Sequence, residues 1–372
     1  MSVFLFVDFG QVGGVAETVA TVACELEGRG HQVTVLAVHD GPATPTEYAR
    51  RAAGPPPPAP SILRWAQLGW RMYRRATRTR PRPDVVAIEG RRLPPLVLAV
   101  AARMRRRSVV LVSPHNLASK RARGLRAVDE VIIRAACRLA HAVVLFDVPS
   151  ADAGAYGQKA LEVPLPPPSG ALRATTNPRP TAGGAVPRAG TPGHIRGDKG
   201  IVSFAEALAR SDLQVTYEVR GVARDRVAVA ELAANDDERI VVLPLNAPMS
   251  SQVFYEHLSG LDVIVLPYRR VTASSVLQSA LALGVPVAAF PFPAACAAEA
   301  EQCAVFTTRA TGDDGELLAV VQRILGMGRS PEMVRRLARG VEFARDRTRA
   351  AADCYEAQAA SPTANVGSLG TP

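Results

Sequence analysis

The sequence predicts an α/β protein with two domains, each built around a parallel β-sheet. Three observations support this prediction: a length of 372 residues, apolar strand-like segments that alternate with helix-like segments, and an aperiodic Pro-rich segment between two such series. At roughly 150 residues per domain, the length favours two domains. Hydrophobic residues make up 48% of the chain. That content excludes a disordered protein and is sufficient for two cores.

The first segment of the chain has the pattern of a βαβ unit. Val3–Phe9 is a continuous apolar run, typical of a parallel strand covered on both faces. A Gly-rich turn follows at residues 10–14, and Ala16–Arg29 has helical spacing. Val33–Val38 predicts the second strand. The unit predicts a Rossmann-like sheet.

Shorter elements complete a predicted first domain of residues 1–165. The segment Gly54–Pro60, with sequence GPPPPAP, predicts a loop. The other predicted elements are a helix at Ser61–Arg78, a strand at Val85–Ile88, a helix at Pro95–Met104, a strand at Val109–Val112, a helix near Val128–Leu139 and a strand at Ala142–Phe146.

A Pro-, Gly- and Thr-rich stretch predicts an interdomain linker at residues 166–192. A second alternation predicts a domain at residues 193–360, closed by a helix from Glu332 to about Ala359, and a disordered tail at residues 361–372. Its other predicted elements are helices Ile201–Arg210, Ser250–Ser259 and Ser275–Leu283, and strands Gln214–Val219, Ile240–Leu243, Val263–Leu266 and Pro286–Ala289. Two Rossmann-like domains facing across a cleft would bind ligands at the carboxyl edges of their strands.

Basic residues concentrate in residues 50–138. This stretch holds 21 basic residues against four acidic ones, a net charge of +17, whereas the whole chain carries +10. Arg outnumbers Lys 41 to 3, which is typical of codon bias. Codon bias does not explain the clustering. A surplus of this size usually faces a polyanion, such as nucleic acid, anionic lipid or a phosphorylated substrate.

Other features exclude several classes of protein. The five cysteines form no CxxC pair, so we expect no zinc site and a reducing cytoplasm. The opening run is interpreted as a strand and not as a signal peptide, and no apolar run reaches the roughly 18 residues of a membrane span. No nucleic-acid-binding motif is present, so basicity alone supports that class of partner.

The predicted helix at residues 61–78 has an apolar face and an arginine face. It has three interpretations: a helix docked on its own domain, a helix on a membrane surface, or an element that follows nucleic-acid phosphates. We favour contact with anionic lipid on the inner face of the membrane. The predicted contact residues are Arg64, Trp65, Arg71, Arg74 and Arg75.

Three segments in order resemble a known family. They are Gly13-Gly14-Val15 followed by RGHQVTVL at Arg29–Leu36, GHIRGDKG at Gly193–Gly200, and LDVIVLPYRRVTASSVLQSALALGVPVAA at Leu261–Ala289. Together they resemble the GT-B glycosyltransferases, in particular the retaining, nucleotide-sugar-dependent group similar to glycosyltransferase family 4. The resemblance implies two Rossmann-like domains and transfer of a sugar from a nucleotide-diphosphate donor to a lipid-linked or glycan acceptor.

The resemblance assigns expected roles on the donor side. Arg196 and Lys199 lie where the family binds the donor diphosphate, without a metal or other cofactor. Cations and a helix N-terminus can stabilise the charge that develops on the departing phosphate. Thr272, Ser274 and Ser275 open a predicted helix and can cap it or bind an anion.

On the acceptor side, the resemblance points to a Gly-rich turn and a loop. Gly13 and Gly14 permit close approach of the backbone to a ligand. His115 and Asn116 follow a predicted strand, and a histidine there can transfer protons near neutral pH. The alternative for each is an ordinary turn or loop residue.

The sequence departs from the family at one pair of positions. The family pattern carries two Glu residues where this chain has Val271 and Ser279. Glu299 and Glu301, which follow the last predicted strand, are candidates to supply the missing carboxylates. The departure leaves open a second function, a non-catalytic GT-B relative that binds a sugar or acts as a scaffold.

Overall fold

The computed structural model of the chain describes residues 1–8, 14–37, 41–52, 62–89, 94–105, 108–113, 123–148, 159–174, 186–269, 271 and 273–360. Contacts divide the chain into two compact units. Unit 1 comprises Met1–Ser169 and Thr348–Pro372, and unit 2 comprises Gly170–Arg347. Each unit has its own mainly parallel sheet, so the predicted fold class is confirmed.

Unit 1 is built on a seven-stranded sheet with helices between its strands. The strands are β1 (Val3–Asp8), β2 (Gln32–Ala37), β3 (Gly41–Ala43), β4 (Val85–Glu89), β5 (Val109–Ser113), β6 (Ala142–Phe146) and β7 (Ala160–Val163). Their order is β3-β2-β1-β4-β5-β6-β7, with only β3 antiparallel to its neighbour. The helices are α1 (Gly14–Gly28), α2 (Pro45–Ala52), α3 (Ile62–Ala76), α4 (Pro94–Met104) and α5 (Arg123–Leu139).

Unit 1 contains elements that the sequence did not predict. The edge strand β3 has the sequence GPA, and its Gly and Pro carry no strand signal. Helix α2 and strand β7 were also missed. Helix α5 begins at Arg123, earlier than predicted, because its first turn carries arginines in place of apolar spacing. The predicted loop at residues 54–60 lies outside the described residues.

Unit 2 is built on a six-stranded parallel sheet. The strands are β8 (Arg188–Pro192), β9 (Thr216–Val222), β10 (Ile240–Leu245), β11 (Val263–Leu266), β12 (Val287–Ala289) and β13 (Val305–Thr307), in the order β10-β9-β8-β11-β12-β13. The helices are α6 (Ser169–Arg173), α7 (Ile201–Ala209), α8 (Arg226–Ala233), α9 (Ser251–Ser259), α10 (Ser275–Leu283), α11 (Pro293–Ala300), α12 (Asp314–Met327) and α13 (Pro331–Ala360). Of these elements, α6, α8, α11, α12, β8 and β13 were not predicted.

The prediction of a linker at residues 166–192 is wrong at its carboxyl end. Strand β8 occupies that end and pairs with both β9 and β11, so it lies inside the sheet. Its sequence RAGTP has weak strand propensity, which tertiary packing overrides. A Cβ on Gly190 would lie 2.8 Å from a methyl carbon of Leu261, so the glycine permits close packing. Residues 175–185 lie outside the described part of the chain.

The end of α13 packs on unit 1, although the sequence assigned it to the second domain. Arg29 Nη1 lies 2.6 Å from Asp353 and 3.0 Å from Glu356. His31 Nδ1 accepts the Ser2 N–H, and His31 Nε2 lies 2.7 Å from Glu356. The Arg29-Gly30-His31 segment of the first family-like motif therefore anchors the last helix.

The core of unit 2 covers both faces of its sheet. Along β11, Val263 and Val265 join a buried cluster with α7 and α12. Ile264 and Leu266 point the other way, into a cluster with α9 and α10. Because helices cover both faces, a ligand has access at the strand ends, where loops lead into the helices.

Candidate functional site

The loop after β8 is held by a contact that requires glycine. The Gly193 N–H donates to the Arg220 carbonyl at 2.9 Å, and Gly193 has a φ of +108°. A Cβ on Gly221 would lie only 1.3 Å from the Gly193 carbonyl oxygen. No other residue fits at position 221 while this approach is kept. The start of the loop is therefore fixed against β9.

A second glycine closes the loop against β11. Residues Gly197–Lys199 form a 3-10 turn, and Gly200 follows with a φ of +69° before α7 begins. A Cβ on Gly200 would lie 2.2 Å from the Pro267 carbonyl oxygen. Asp225 supports the turn from the other side, since its Oδ2 accepts the Gly197 N–H at 3.2 Å. Asp225 was not predicted as a site residue, although its place before a helix is an N-cap signal.

Lys199 joins the two predicted donor segments. Its Nζ donates to the Tyr268 hydroxyl at 3.2 Å and lies 4.7 Å from the centre of the Tyr268 ring. It is also 3.7 Å from where a Cβ on Gly193 would lie. The ammonium group is thus held at the carboxyl edge of unit 2. Tyr268 is buried and was not predicted as a site residue, because its position after a strand is equally typical of the core.

Arg196 is paired with a carboxylate in the same loop. Its Nε donates to Asp198 Oδ1 at 2.7 Å, and its Nη2 contacts Asp198 Oδ2. The Asp198 side chain is well exposed, so water screens this ion pair. An anion that binds Arg196 must therefore compete with a weakly held partner.

Helix α10 begins at the same edge of the sheet. Ser274 is its N-cap, and its Oγ accepts the Leu277 N–H at 3.3 Å. Among the described residues, no acceptor lies within hydrogen-bond distance of the N–H groups of Ser275 and Val276. These groups and the helix dipole favour an anion at this end. Thr272, the third predicted residue, lies outside the described residues.

Polar residues also align at the carboxyl edge of unit 1. Asp8, Glu89 and Ser113 end β1, β4 and β5 and stand side by side in the parallel register. Asp8 is buried and accepts a hydrogen bond from the Tyr48 hydroxyl. The Ser113 hydroxyl is buried, and it has no hydrogen-bond partner among the described residues. These three residues were not predicted as a site, although each is the polar end of an apolar run.

Most of the predicted acceptor-side residues lie outside the described part of the chain. Gly13, His115 and Asn116 belong to this group, and Gly14 is the first residue of α1. His115 and Asn116 follow Ser113 closely in the sequence. Their roles stay predictions.

Comparisons with known proteins identify the fold of the chain and a family resemblance over its first part. Residues 12–163 match the family model described as Glycosyltransferase Family 4. This match confirms the family resemblance over that segment. The chain has the GT-B fold of glycosyltransferases of known structure. A search of curated proteins finds no significant match to the sequence.

The similar solved structures span nearly the whole chain. Anabaena HepE, solved with UDP and glucose, is 17% identical with a TM-score of 0.67, covering 97% of this chain and 100% of HepE. The catalytic domain of starch synthase IV from Arabidopsis thaliana, bound to ADP and acarbose, is 11% identical with a TM-score of 0.68, covering 96% and 99%. Sucrose-phosphate synthase from Thermosynechococcus elongatus is 17% identical with a TM-score of 0.61, covering 96% of each chain.

Val271 and Ser279 stand at the two positions where the family pattern is expected to carry Glu. Val271 packs against the apolar cluster beside α10. Ser279 is buried, and its hydroxyl donates to the Ser275 carbonyl at 2.8 Å. Neither of the suggested replacements is free: Glu299 accepts from the Thr307 N–H at 3.0 Å, and Glu301 pairs with Arg339 at 2.6 Å. Both carboxylates are engaged in local structure.

Gln278 is the most unusual polar residue of α10. Its side chain is fully buried, and within the described part of the chain neither Oε1 nor Nε2 has a hydrogen-bond partner. It lies one turn after Ser274, and helical side chains lean towards the N-terminus of their helix. The amide therefore leans towards the turn that opens α10. An unpaired buried amide is costly unless a ligand or water satisfies it.

Arg269, in the loop after Tyr268, lies close to the partly buried carboxyl group of Asp314. Arg269 Nη2 donates to Ser203 Oγ at 3.2 Å and lies 3.4 Å from Asp314 Oδ2. Burial raises the pKa of the Asp314 carboxyl, and Arg269 partly offsets the rise. Among the described residues, no group of three or more His, Cys, Asp or Glu is arranged to bind a metal.

Helix α3 docks with one face and exposes the other. Met72 and Ala76 are buried in the core of unit 1, so this part of the apolar face docks on its own domain and cannot contact a membrane. Arg71, Arg74 and Arg75 are exposed. The structure does not describe the side chains of Arg64 and Trp65, so their membrane contacts stay predictions. Among the described residues, no helix has the length and apolarity needed to cross a bilayer.

Proposed function

We propose that this protein is a retaining glycosyltransferase that moves a hexose from a nucleotide-diphosphate sugar to a lipid-linked or glycan acceptor. The observation that carries the proposal is the meeting of Lys199, Arg196 and the start of α10 at one edge of unit 2. The family match at residues 12–163 supports it. So do the UDP and ADP bound in two proteins of similar fold.

The donor site would act by stabilising the leaving group. When the glycosidic bond to the donor breaks, negative charge accumulates on the departing diphosphate. Lys199, held by Tyr268, supplies a fixed positive charge, and Arg196 can exchange Asp198 for phosphate oxygens in a bidentate contact. The N–H groups of Ser275 and Val276, for which the described residues supply no acceptor, would add hydrogen bonds. We propose that these groups act without a metal or other cofactor.

The acceptor would bind at unit 1. Gly13, Gly14, His115 and Asn116 follow strands whose ends carry the polar row of Asp8, Glu89 and Ser113. We propose His115 as the residue that assists transfer at the reacting centre. Retention of the anomeric configuration belongs to the same proposal.

We further propose that the enzyme works on the inner face of the cytoplasmic membrane, in the biosynthesis of cell-surface polysaccharide or glycoconjugate. The exposed Arg71, Arg74 and Arg75 support contact with anionic headgroups, and Trp70, 56% exposed on the same helix, can enter the interface. Sedimentation with phosphatidylglycerol vesicles tests this contact. Binding equal to that on phosphatidylcholine would contradict it.

A panel of UDP-, GDP- and ADP-sugars tests the enzyme directly. We expect one nucleotide sugar to raise the melting temperature by mass action and to be turned over when an acceptor is added. Slow donor hydrolysis without acceptor would serve as a second readout. If no sugar nucleotide binds or reacts, the enzyme proposal fails.

The second candidate function is a non-catalytic relative, favoured by Val271 and Ser279 at the family's Glu positions. It predicts donor or sugar binding without turnover. Assays on the wild type and on Arg196→Ala separate the two functions: an enzyme loses turnover in the variant, whereas a scaffold has no turnover to lose.

A further inference from the structure

Five arginines line an open cavity of about 580 Å³ on unit 1. They come from the last turns of α3 and from the turn that follows, and strand β2 contributes the remaining wall. The described lining residues are Thr34, Leu36, Arg71, Arg74, Arg75, Arg78, Thr79 and Arg80. We propose that this cavity is a binding site for a compact anion that carries several phosphate charges.

The cavity is a concave site because the chain turns back after α3. The Thr77 hydroxyl donates to the Tyr73 carbonyl at 2.9 Å, and the Thr79 hydroxyl donates to the Arg75 carbonyl at 2.9 Å. These bonds close the helix end and bring the following turn beside it. The opposite face of α3 is fixed in the core by Met72 and Ala76. The arginines therefore project from a rigid wall.

Among the residues that the structure describes, no acidic side chain compensates the charge of the cavity. Residues 62–83 contain no Asp or Glu. Among the described residues, none of the five lining arginines forms a salt bridge, whereas arginines of unit 2 such as Arg188 and Arg239 do. Arg74 and Arg75 follow Arg71 by three and four residues in α3, where like charges repel each other, and Arg78 follows just beyond the helix end. A bound anion removes this repulsion.

The arginine side chains that line the cavity favour an anion with several phosphate groups. Guanidinium groups donate in a planar fork that matches phosphate oxygens, and several forks around one cavity suit an anion of high charge density. A single phosphate can engage only part of the set. The proposal does not depend on sugar transfer by the chain, because the proposed donor loop, Gly193–Gly200, lies in the other unit.

The test compares phosphate chains by calorimetry at matched ionic strength. Every protein carries Arg196→Ala/Lys199→Ala, which removes both cations of the loop Gly193–Gly200 and so weakens it as a competing site. We expect tripolyphosphate to bind at least tenfold more tightly than orthophosphate. The variant Arg74→Gln/Arg75→Gln/Arg78→Gln should lose at least tenfold in tripolyphosphate affinity.

A matched control separates the site from general electrostatics. The variant Arg226→Gln/Arg335→Gln/Arg345→Gln removes the same charge from exposed positions outside the cavity and should lose less than twofold. Equal losses in the two triple variants, or no preference for tripolyphosphate, would overturn the proposal. Replacing the three cavity arginines by Lys keeps the charge and guards against misfolding; we expect an intermediate affinity.

A second arm distinguishes a lipid headgroup from a soluble compound as the source of the phosphates. Vesicles containing phosphatidylinositol 4-phosphate are compared with phosphatidylglycerol vesicles of equal charge. Preferential binding that tripolyphosphate displaces identifies a phosphorylated headgroup. Equal vesicle binding, with tight tripolyphosphate binding in solution, identifies a soluble polyphosphorylated ligand. Both results support the site.

Discussion

The donor loop of unit 2 and the arginine cavity of unit 1 handle positive charge in opposite ways. In the loop, Lys199 donates a hydrogen bond to Tyr268, and Arg196 forms an ion pair with Asp198. Glycines allow the loop backbone to pack closely against the strand ends. In the cavity, several arginines share one space without a carboxylate among the described lining residues. Two positioned cations suit one ligand in one orientation. Many unpaired cations suit a dense anion held mainly by its charge.

The largest expected effect comes from breaking the rigid loop. Gly221→Ala places a Cβ 1.3 Å from the Gly193 oxygen, so β9 and the loop must separate. We expect a loss of several kcal/mol in the free energy of unfolding, measured by urea titration. Gly326→Ala is the matched control, since nothing lies within 4 Å of its added Cβ and the position is helical. A loss below about 1 kcal/mol at Gly221 would contradict the described approach.

Removing one positioned cation should cost turnover without costing the fold. We expect Lys199→Ala to lower kcat roughly 100- to 1,000-fold, the usual effect of deleting one charge stabiliser of a transition state. Arg335→Ala, which removes an exposed cation of α13, is the control and should leave kcat unchanged. Steady-state kinetics with the preferred donor measures both. An unchanged kcat in Lys199→Ala would remove this residue from the leaving-group role.

The basic character of unit 1 should also make it sensitive to acid. His141 Nδ1 accepts the Val110 N–H at 3.0 Å, and burial, with Arg105 and Lys159 nearby, lowers the pKa of the imidazole. The unfolded state therefore binds a proton more readily, and stability present at neutral pH is lost as the pH falls below about 6.5. His141→Asn keeps an acceptor and does not titrate. Its unfolding free energy should fall less steeply with acid, and identical pH profiles would refute this contribution.

The smallest expected effect concerns Asp198, which competes with the donor phosphate for Arg196. Asp198→Asn frees Arg196 and removes a negative charge beside the proposed diphosphate site. Since an exposed ion pair is worth roughly 0–1 kcal/mol, donor affinity should rise by up to about fivefold. Calorimetry with the nucleoside diphosphate measures the change. Weaker binding would show instead that Asp198 holds Arg196 in its working position.

Segments with strong local signals could be predicted from the sequence. Strand β6 and helix α10 have the predicted bounds, because β6 is an unbroken apolar run and Ser274 is a good N-cap before an apolar helix. Strand β8 was missed because RAGTP carries no strand signal, and its neighbours in the sheet decide its conformation. The final part of α13 was misassigned because its ion pairs to Arg29 and His31 join distant parts of the chain.

The candidate site could be predicted in part. The family-like motifs predicted Arg196, Lys199 and Ser274 as site residues, and the structure places the Lys199 loop beside the start of α10. Tyr268 and the unpaired amide of Gln278 could not be recognised, since both occupy positions typical of an apolar core. The cavity could not be predicted, because its shape depends on the turn after α3, whereas the sequence indicated only an arginine face on the helix.

The central claim is that the Arg196–Lys199 loop holds the diphosphate of a nucleotide donor. Calorimetry with a nucleoside diphosphate and the matching monophosphate tests it, on the wild type and on Arg196→Ala/Lys199→Ala. The account predicts that the wild type binds the diphosphate roughly tenfold or more tightly, since each charge-assisted phosphate contact is worth about 1.5–3 kcal/mol, and that the double variant loses this preference. A double variant that keeps the wild-type preference for diphosphate would contradict the account.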